Sequence, residues 1–213
     1  MMDELELLKK DWKKQEESLP KLSYDEIYKL IHKKSSSIVK WIFIIGIAEF
    51  IFWAGLNLII PEDYLEIYEQ FHLKNTLFVV NIIHYCITIV FLYLFYKNYK
   101  AISVKESTSV LMNRILKTRK TVNYYVYYNI IMFVGLSIAF NIVMFSNPDL
   151  LMEVMEQDIQ GINTESVLNI LLAVQIITVI FVLGLLILWY RVIYGILLRK
   201  LKKNYIELQT LKS

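Results

Sequence analysis

Apolar residues in this chain run in four long blocks, 38–60, 76–96, 122–145 and 167–190, set between stretches dense in charge. A helix needs about 20 residues to cross the hydrocarbon of a bilayer, and every block is that long. Each is apolar on all faces, unlike the one-sided stripe of a surface helix, and none contains proline. In lipid each backbone N–H and C=O must find a partner inside its own segment, so the blocks are predicted to be helices. The expected fold is all-α: a four-helix transmembrane bundle with helical extensions at one end and short interfacial helices at the other.

Between the blocks the periodicity is helical too. Leu5, Leu8 and Trp12 form one stripe over 3–17, and Pro20 interrupts it. Ser23-Tyr-Asp-Glu26 has the spacing of a capping box, followed by Ile27, Leu30 and Ile31 on one side of the next helix. Ser35–Ser37 reads as a polar hinge or as a continuation into the first span. Ser103-Val-Lys-Glu106 is a second capping-box pattern, with Val104, Leu111, Ile115 and Val122 continuing at helical spacing. Beyond the fourth block, Ile193, Ile196, Leu197, Leu201, Tyr205 and Leu208 carry a stripe to about 208. In the remaining loops, Tyr64, Ile67, Tyr68 and Phe71 make one short stripe. Asn147-Pro148 starts another through Leu151, Val154 and Met155, and Gly161 ends it.

Charge orients these elements. Segments 1–37, 97–121 and 191–213 carry 8, 7 and 6 Lys or Arg, whereas loop 61–75 has only Lys74 and loop 146–166 has none. Basic loops mark the cytoplasmic side. Both termini are therefore predicted inside, with 1–37 cytoplasmic, 97–121 an inner loop, 61–75 and 146–166 outer loops, and 191–213 a basic cytoplasmic tail. The net charge of +3 hides this polarity. The basic face should attract anionic lipid, and no nucleic-acid role is expected because the cations sit where topology needs them. Trp41, Tyr93, Tyr96, Tyr124, Tyr125, Tyr127, Tyr128, Trp189 and Tyr190 cluster at the inner interface, where amphipathic rings favour the headgroup level. The charged first 37 residues do not resemble a cleavable signal, so the first span is expected to be an anchor. The single cysteine, Cys86, forms no disulfide within the chain and is expected to be a small buried hydrophobe.

Candidate chemistry is sparse. Glu49 is the one acid inside the spans and His84 the one histidine. Counted from the inner ends of their spans, they lie roughly 16 and 18 Å up, which puts them on one level. Glu49 shares its face with Gly46, Trp53 and Asn57; His84 shares its face with Asn81 and Thr88. Ser137 and Asn141 stripe the third span, Gln175 and Thr178 the fourth. Glu49, Asn57, Asn81, His84, Thr88, Ser137, Asn141 and Gln175 thus form a candidate polar cluster turned inward. In one reading they are interhelical hydrogen-bond glue, with Glu49 neutral and bonded to His84 or Asn81. In the other, Glu49 and His84 exchange protons or hold a cation. No catalytic residue, cofactor or metal site is expected: HExxH, GxSxG and phosphate-binding loops are missing, and His32, His72 and His84 fall on three different levels.

The stretches LELLKKDWKKQE, KLIHKKSSSIVKWIFII and LMNRILKTRKTVNYYV resemble those of a family of uncharacterised four-span bacterial inner-membrane proteins, over essentially the whole chain. Members of that family are often labelled beta-carotene monooxygenase. Carotenoid-cleaving oxygenases hold iron with four histidines, and this chain has three, apart from one another. Family members often lie beside sigma-factor-type regulators, so the resemblance implies a membrane-tethered, non-enzymatic regulator or scaffold. It would bind a cytoplasmic regulatory protein through Leu5, Leu8, Trp12, Ile27 and Ile31. Segment 1–37 is short for an anti-sigma domain and lacks HxxxCxxC. The competing expectation is a small proton-coupled transporter, a homodimer, using Glu49 and His84.

Overall fold

The computed structural model describes residues 6, 8–10, 12, 23–59, 68–103, 107–154 and 164–212. Among them there is no strand. Four long helices carry the four apolar blocks: α1 (Tyr24–Ile59), α2 (Lys74–Ser103), α3 (Thr108–Ser146) and α5 (Thr164–Lys212). A short α4 (Pro148–Val154) joins α3 to α5. All four long helices are long and apolar enough to cross a membrane, which supports a multi-pass membrane protein.

The first capping box forms as its spacing predicts. The Ser23 backbone N–H donates to Glu26 Oε2 at 2.8 Å, and the Glu26 N–H donates back to Ser23 Oγ at 3.3 Å. Ser23 Oγ also donates to the same carboxylate at 2.9 Å. The Ser23 backbone N–H first, and its hydroxyl second, hold the exposed Glu26 carboxyl below the usual carboxylate range. From here α1 runs unbroken through Ser35–Ser37 into the apolar block, so the predicted hinge is a continuation. Of the second box, Val104, Lys105 and Glu106 lie outside the described residues; Ser103 closes α2, and α3 opens at an extended Ser107 whose carbonyl accepts from Leu111 N–H at 3.0 Å. Ahead of α2, His72 stands at φ 56°, with Leu73 N–H on the Tyr68 carbonyl and His72 N–H on the Glu69 carbonyl, the pattern of a Schellman cap.

Sequence neighbours pack side by side in antiparallel fashion, and α5 closes the ring against α1. The buried positions have a regular spacing. On α1 they are Ile31, Ser35, Val39, Ile42, Gly46 and Glu49; on α3 they are Leu111, Ile115, Thr118, Val122 and Tyr125. On α5, Tyr190, Tyr194, Leu201, Asn204 and Leu208 continue the pattern, and on α2, Thr88, Phe95, Asn98 and Ile102. Steps of three and four make a heptad seam, the signature of left-handed coiled-coil packing. Polar members of the seam pair across it: Asn204 Nδ2 donates to Ser35 Oγ at 2.9 Å, and Asn98 Nδ2 to Thr121 Oγ1 at 3.2 Å. Such pairs fix the register of the helices.

This core occupies the basic end of the bundle. Ile31 is buried in it and Ile27 packs against it, so neither offers the free partner-binding surface expected of them. The apolar stripe of the first half of α1 has its home in the bundle. Leu8 and Trp12 are 71% and 77% exposed, and Leu5 lies outside the described residues. Toward the other end, Phe71, Met144 and Leu151 form a small separate cluster. Between these clusters the apolar helices turn most of their surface outward, including Cys86, which is exposed rather than buried.

Candidate intramembrane site

The α1 seam changes character as it leaves the stalk. At Gly46 the helices come so close that an added Cβ would stand 3.0 Å from Leu92 Cδ2 and 3.2 Å from Phe95 Cδ2. One step further the seam residue is Glu49, only 6% exposed. Tyr190 and Tyr194, four apart on one face of α5, both reach it. Tyr190 Oη donates to Oε1 at 2.8 Å and Tyr194 Oη to Oε2 at 2.9 Å. The Tyr125 ring packs edge-on against both tyrosines, with centroids 6.3 and 5.9 Å away, and Phe95 backs it at 5.4 Å. The carboxyl therefore sits in a box of three phenols, each oxygen holding one donor. Burial of a polar group is tolerated when its partners are supplied in this way.

His84 belongs to a different interface. Its Nδ1 lies 3.1 Å from Tyr128 Oη, and the two rings stack at 5.6 Å with 14° between planes. Thr88, also buried, donates to the His84 carbonyl at 2.9 Å. The expected bond from Glu49 to His84 or Asn81 is not made: Glu49 serves α1 and α5, His84 serves α2 and α3. Nor are they level. Tyr128 is three residues beyond Tyr125 on α3, about 4.5 Å further from the basic end. Counting from the ends of the apolar blocks assumed coplanar ends. The packing of Gly46 against Phe95 and of Glu49 against Tyr190 shows the blocks staggered instead.

Beyond this box the helices part around a cavity of about 410 Å³. Tyr190 forms its floor, and Trp53, Tyr85 and Phe133 give it aromatic walls. Asn57, Asn81, His84 and Asn129 bring polar atoms to it. Among the described residues no Lys, Arg, Asp or Glu lines it. Its volume falls in the range of small-molecule sites.

Of the predicted polar cluster, the structure brings Asn57, Asn81 and His84 to this cavity, with Thr88 behind His84. Ser137, Asn141 and Gln175 do not join them. Ser137 Oγ donates to the Phe133 carbonyl and Asn141 Nδ2 to the Ser137 carbonyl, both at 2.8 Å, so each bonds back to its own helix. Asn141 Oδ1 is left buried without a partner among the described residues. Gln175 is half-buried on α5, away from the cavity.

Of the three phenols around Glu49, Tyr125 and Tyr190 were hidden in the aromatic belt, and Tyr194 was singled out by no sequence pattern. Tyr125 and Tyr190 are 2% and 5% exposed and so are not interface anchors, whereas Trp41, Tyr93, Tyr124, Tyr127 and Trp189 do face outward. Heptad spacing was the signal that could have separated them: 118, 122, 125 and 190, 194, 201 continue the seam, and the outward-facing rings do not.

No curated protein and no solved structure matches the chain. A family model described as a domain of unknown function, DUF8845, matches residues 25–213, and the protein belongs to that family.

Proposed function

We propose that this is a non-enzymatic, membrane-anchored scaffold or regulator of the bacterial inner membrane, with both termini cytoplasmic, that presents its N-terminal segment to a cytoplasmic protein. The observation that carries this reading is the position of the core. The well-packed part of the molecule is a helical stalk at the basic end, made from the first half of α1, the loop-side ends of α2 and α3, and the second half of α5. A chain built to move a solute would need its organised interior across the apolar region. Among the described residues, Leu8 and Trp12 are apolar side chains ahead of this stalk that no core uses, and they lie outside the stretch shared with the family. The basic end also suits anionic headgroups. The test is capture from native membranes in mild detergent, comparing the full chain with a Leu8→Ser, Trp12→Ser variant. A cytoplasmic protein that is held by the first and lost from the second supports the scaffold; identical partner sets remove it.

A second reading, a dimeric proton-coupled transporter, has one specific observation in its favour: a buried carboxyl one phenol away from the cavity floor. Glu49→Gln in a proteoliposome flux assay decides it, since unchanged flux eliminates Glu49 as a proton carrier.

A further inference from the structure

We infer that Tyr190 is a proton relay between the cavity and Glu49, so that Glu49 is a proton-binding site filled from the cavity side alone. This goes beyond the scaffold reading and depends on no protein partner: it says how acidity at one end of the bundle reaches a contact that joins α1 to α5.

Three observations set the route. First, Tyr190 belongs to both places. Its hydroxyl donates to Glu49 Oε1 at 2.8 Å, and the same residue lines the cavity although it is only 5% exposed. Second, the cavity suits water. Its 410 Å³ has room for several molecules, and Asn57, Tyr68, Asn81, His84, Tyr85 and Asn129 bring amides, hydroxyls and an imidazole to hold them. Tyr68 lies ahead of α2, so this lining reaches toward the acidic end of the bundle. Third, the opposite side is apolar. Tyr194 Oη holds Oε2, and Tyr194 itself is fully buried. Past it the α1–α5 seam consists of Val39, Ile42 and Leu201 as far as Ser35 and Asn204, about 15 Å further along α5. Asn98 and Thr121 are nearer, but they lie between α2 and α3 and bond to each other.

Few titratable groups face the carboxyl. α3 brings Tyr125, and α5 brings Tyr190 and Tyr194. α2 packs Phe95 behind Tyr125 and Leu92 against Gly46, neither of which titrates, and its His84 is turned to Tyr128. In the proton-free state both α5 phenols donate to the carboxylate. A proton from cavity water is taken by a lone pair of Tyr190 Oη while the tyrosine's own proton passes to Glu49 Oε1. One O–H bond forms and one breaks on the phenol, which stays neutral, and the carboxylate becomes a carboxyl. The hydrogen bond is kept with its direction reversed, and the Tyr190 proton now faces the cavity. α1 and α5 thereby exchange charge-assisted bonds for weaker neutral ones.

The test is infrared spectroscopy of the full chain in lipid, titrated between about pH 4 and about pH 10, the ordinary ranges of carboxyl and phenol. The carboxyl C=O band that is lost in Glu49→Gln belongs to Glu49, and its rate of appearance after acid is released by a light pulse is the readout. Tyr190→Phe should slow it by roughly 10²-fold, the lower range for a positioned proton-transfer group. Tyr194→Phe takes an equal donor from the same carboxyl. It should move the midpoint of the titration by a similar amount to Tyr190→Phe without slowing the band. Leu136→Trp, at an exposed position on the cavity wall, fills the cavity, leaves the phenols in place and should slow the band as Tyr190→Phe does. It decides the question even where Tyr190→Phe fails to fold by circular dichroism. A band as fast as the wild type's in Tyr190→Phe or in Leu136→Trp overturns the relay, and so does an equal slowing in Tyr194→Phe. A Glu49 band that never responds to pH overturns the site itself.

Discussion

At the basic end, Val39, Ile42, Ile115, Val122 and Leu201 meet in a seam that leaves none of them more than marginally exposed. Toward the acidic end the same helices part around a cavity, and their polar side chains mostly bond back to their own backbones, as Ser137, Asn141 and Thr178 do. The difference follows from the solvent. Where the seam runs outside the apolar blocks, as at Ile115 and Leu201, water drives it together. Within the blocks lipid is as apolar as leucine, so helices associate through close packing and hydrogen bonds, as the seam does as far as Glu49, and beyond it have less reason to close. Glu49 lies at the changeover, the last seam position before the helices diverge.

The sharpest way to break this contrast is to delete methyl groups on each side of it. Ile42→Ala in the seam should destabilise the folded chain by about 2–5 kcal/mol. Ile180→Ala, whose side chain faces outward, should change stability by no more than about 0.5 kcal/mol. Reversible unfolding in mixed micelles measures both, and equal effects would mean that the two halves are packed alike. Next comes the carboxyl. Tyr194→Phe removes one of its two donors and should cost about 1–3 kcal/mol, the range for leaving a buried polar group short of a partner. In double-mutant cycles Tyr194 and Glu49 should couple, whereas His84→Phe and Glu49→Gln should add within about 0.5 kcal/mol, because those residues share no partner.

A smaller effect separates two glycines. Gly46→Ala pushes a methyl against Leu92 and Phe95 and should cost about 1–3 kcal/mol. Gly135→Ala meets nothing within 4 Å and should stabilise α3 by up to about 1 kcal/mol. The smallest effect lies at the tip of the stalk. The Glu26 carboxyl titrates lower in the folded chain than in the unfolded one, so its capping contribution is complete above the unfolded pKa and is lost as pH falls through the folded value. Amide exchange in the first turn of α1 should therefore quicken below about pH 4, the ordinary carboxylate range, and Glu26→Gln should remove that pH dependence. The core residues of α3 should show no such change.

The sequence carried the helices well, because 20-residue apolar runs and a Ser-x-x-Glu box each have one dominant physical solution. The packing partners were less legible. Glu49 could be singled out as the lone acid of the spans, but its partners lie on α5: Tyr190, which also fits an aromatic belt, and Tyr194, beyond the apolar block. Telling Tyr190 from Trp189 needs the heptad phase of the stalk, and that phase is clear only when helices are seen to run on past the apolar blocks. The level assigned to His84 failed for a related reason: block ends mark where composition changes, and staggered helices change composition at different heights. The fate of Ile27 and Ile31 followed from the same continuity, since a stripe beside a membrane can belong to a stalk as readily as to a docking surface.

The bond between Glu49 and its tyrosines spans 141 and 145 residues of chain. A ribosome adding about 5–20 residues each second takes roughly 7–30 s to cover that distance. For that time α1 holds an acid without its donors, and the phenols that cover it belong to α5. A chain halted before Tyr190 keeps that acid bare, a polar group in apolar surroundings whose cost is relieved only when α5 docks.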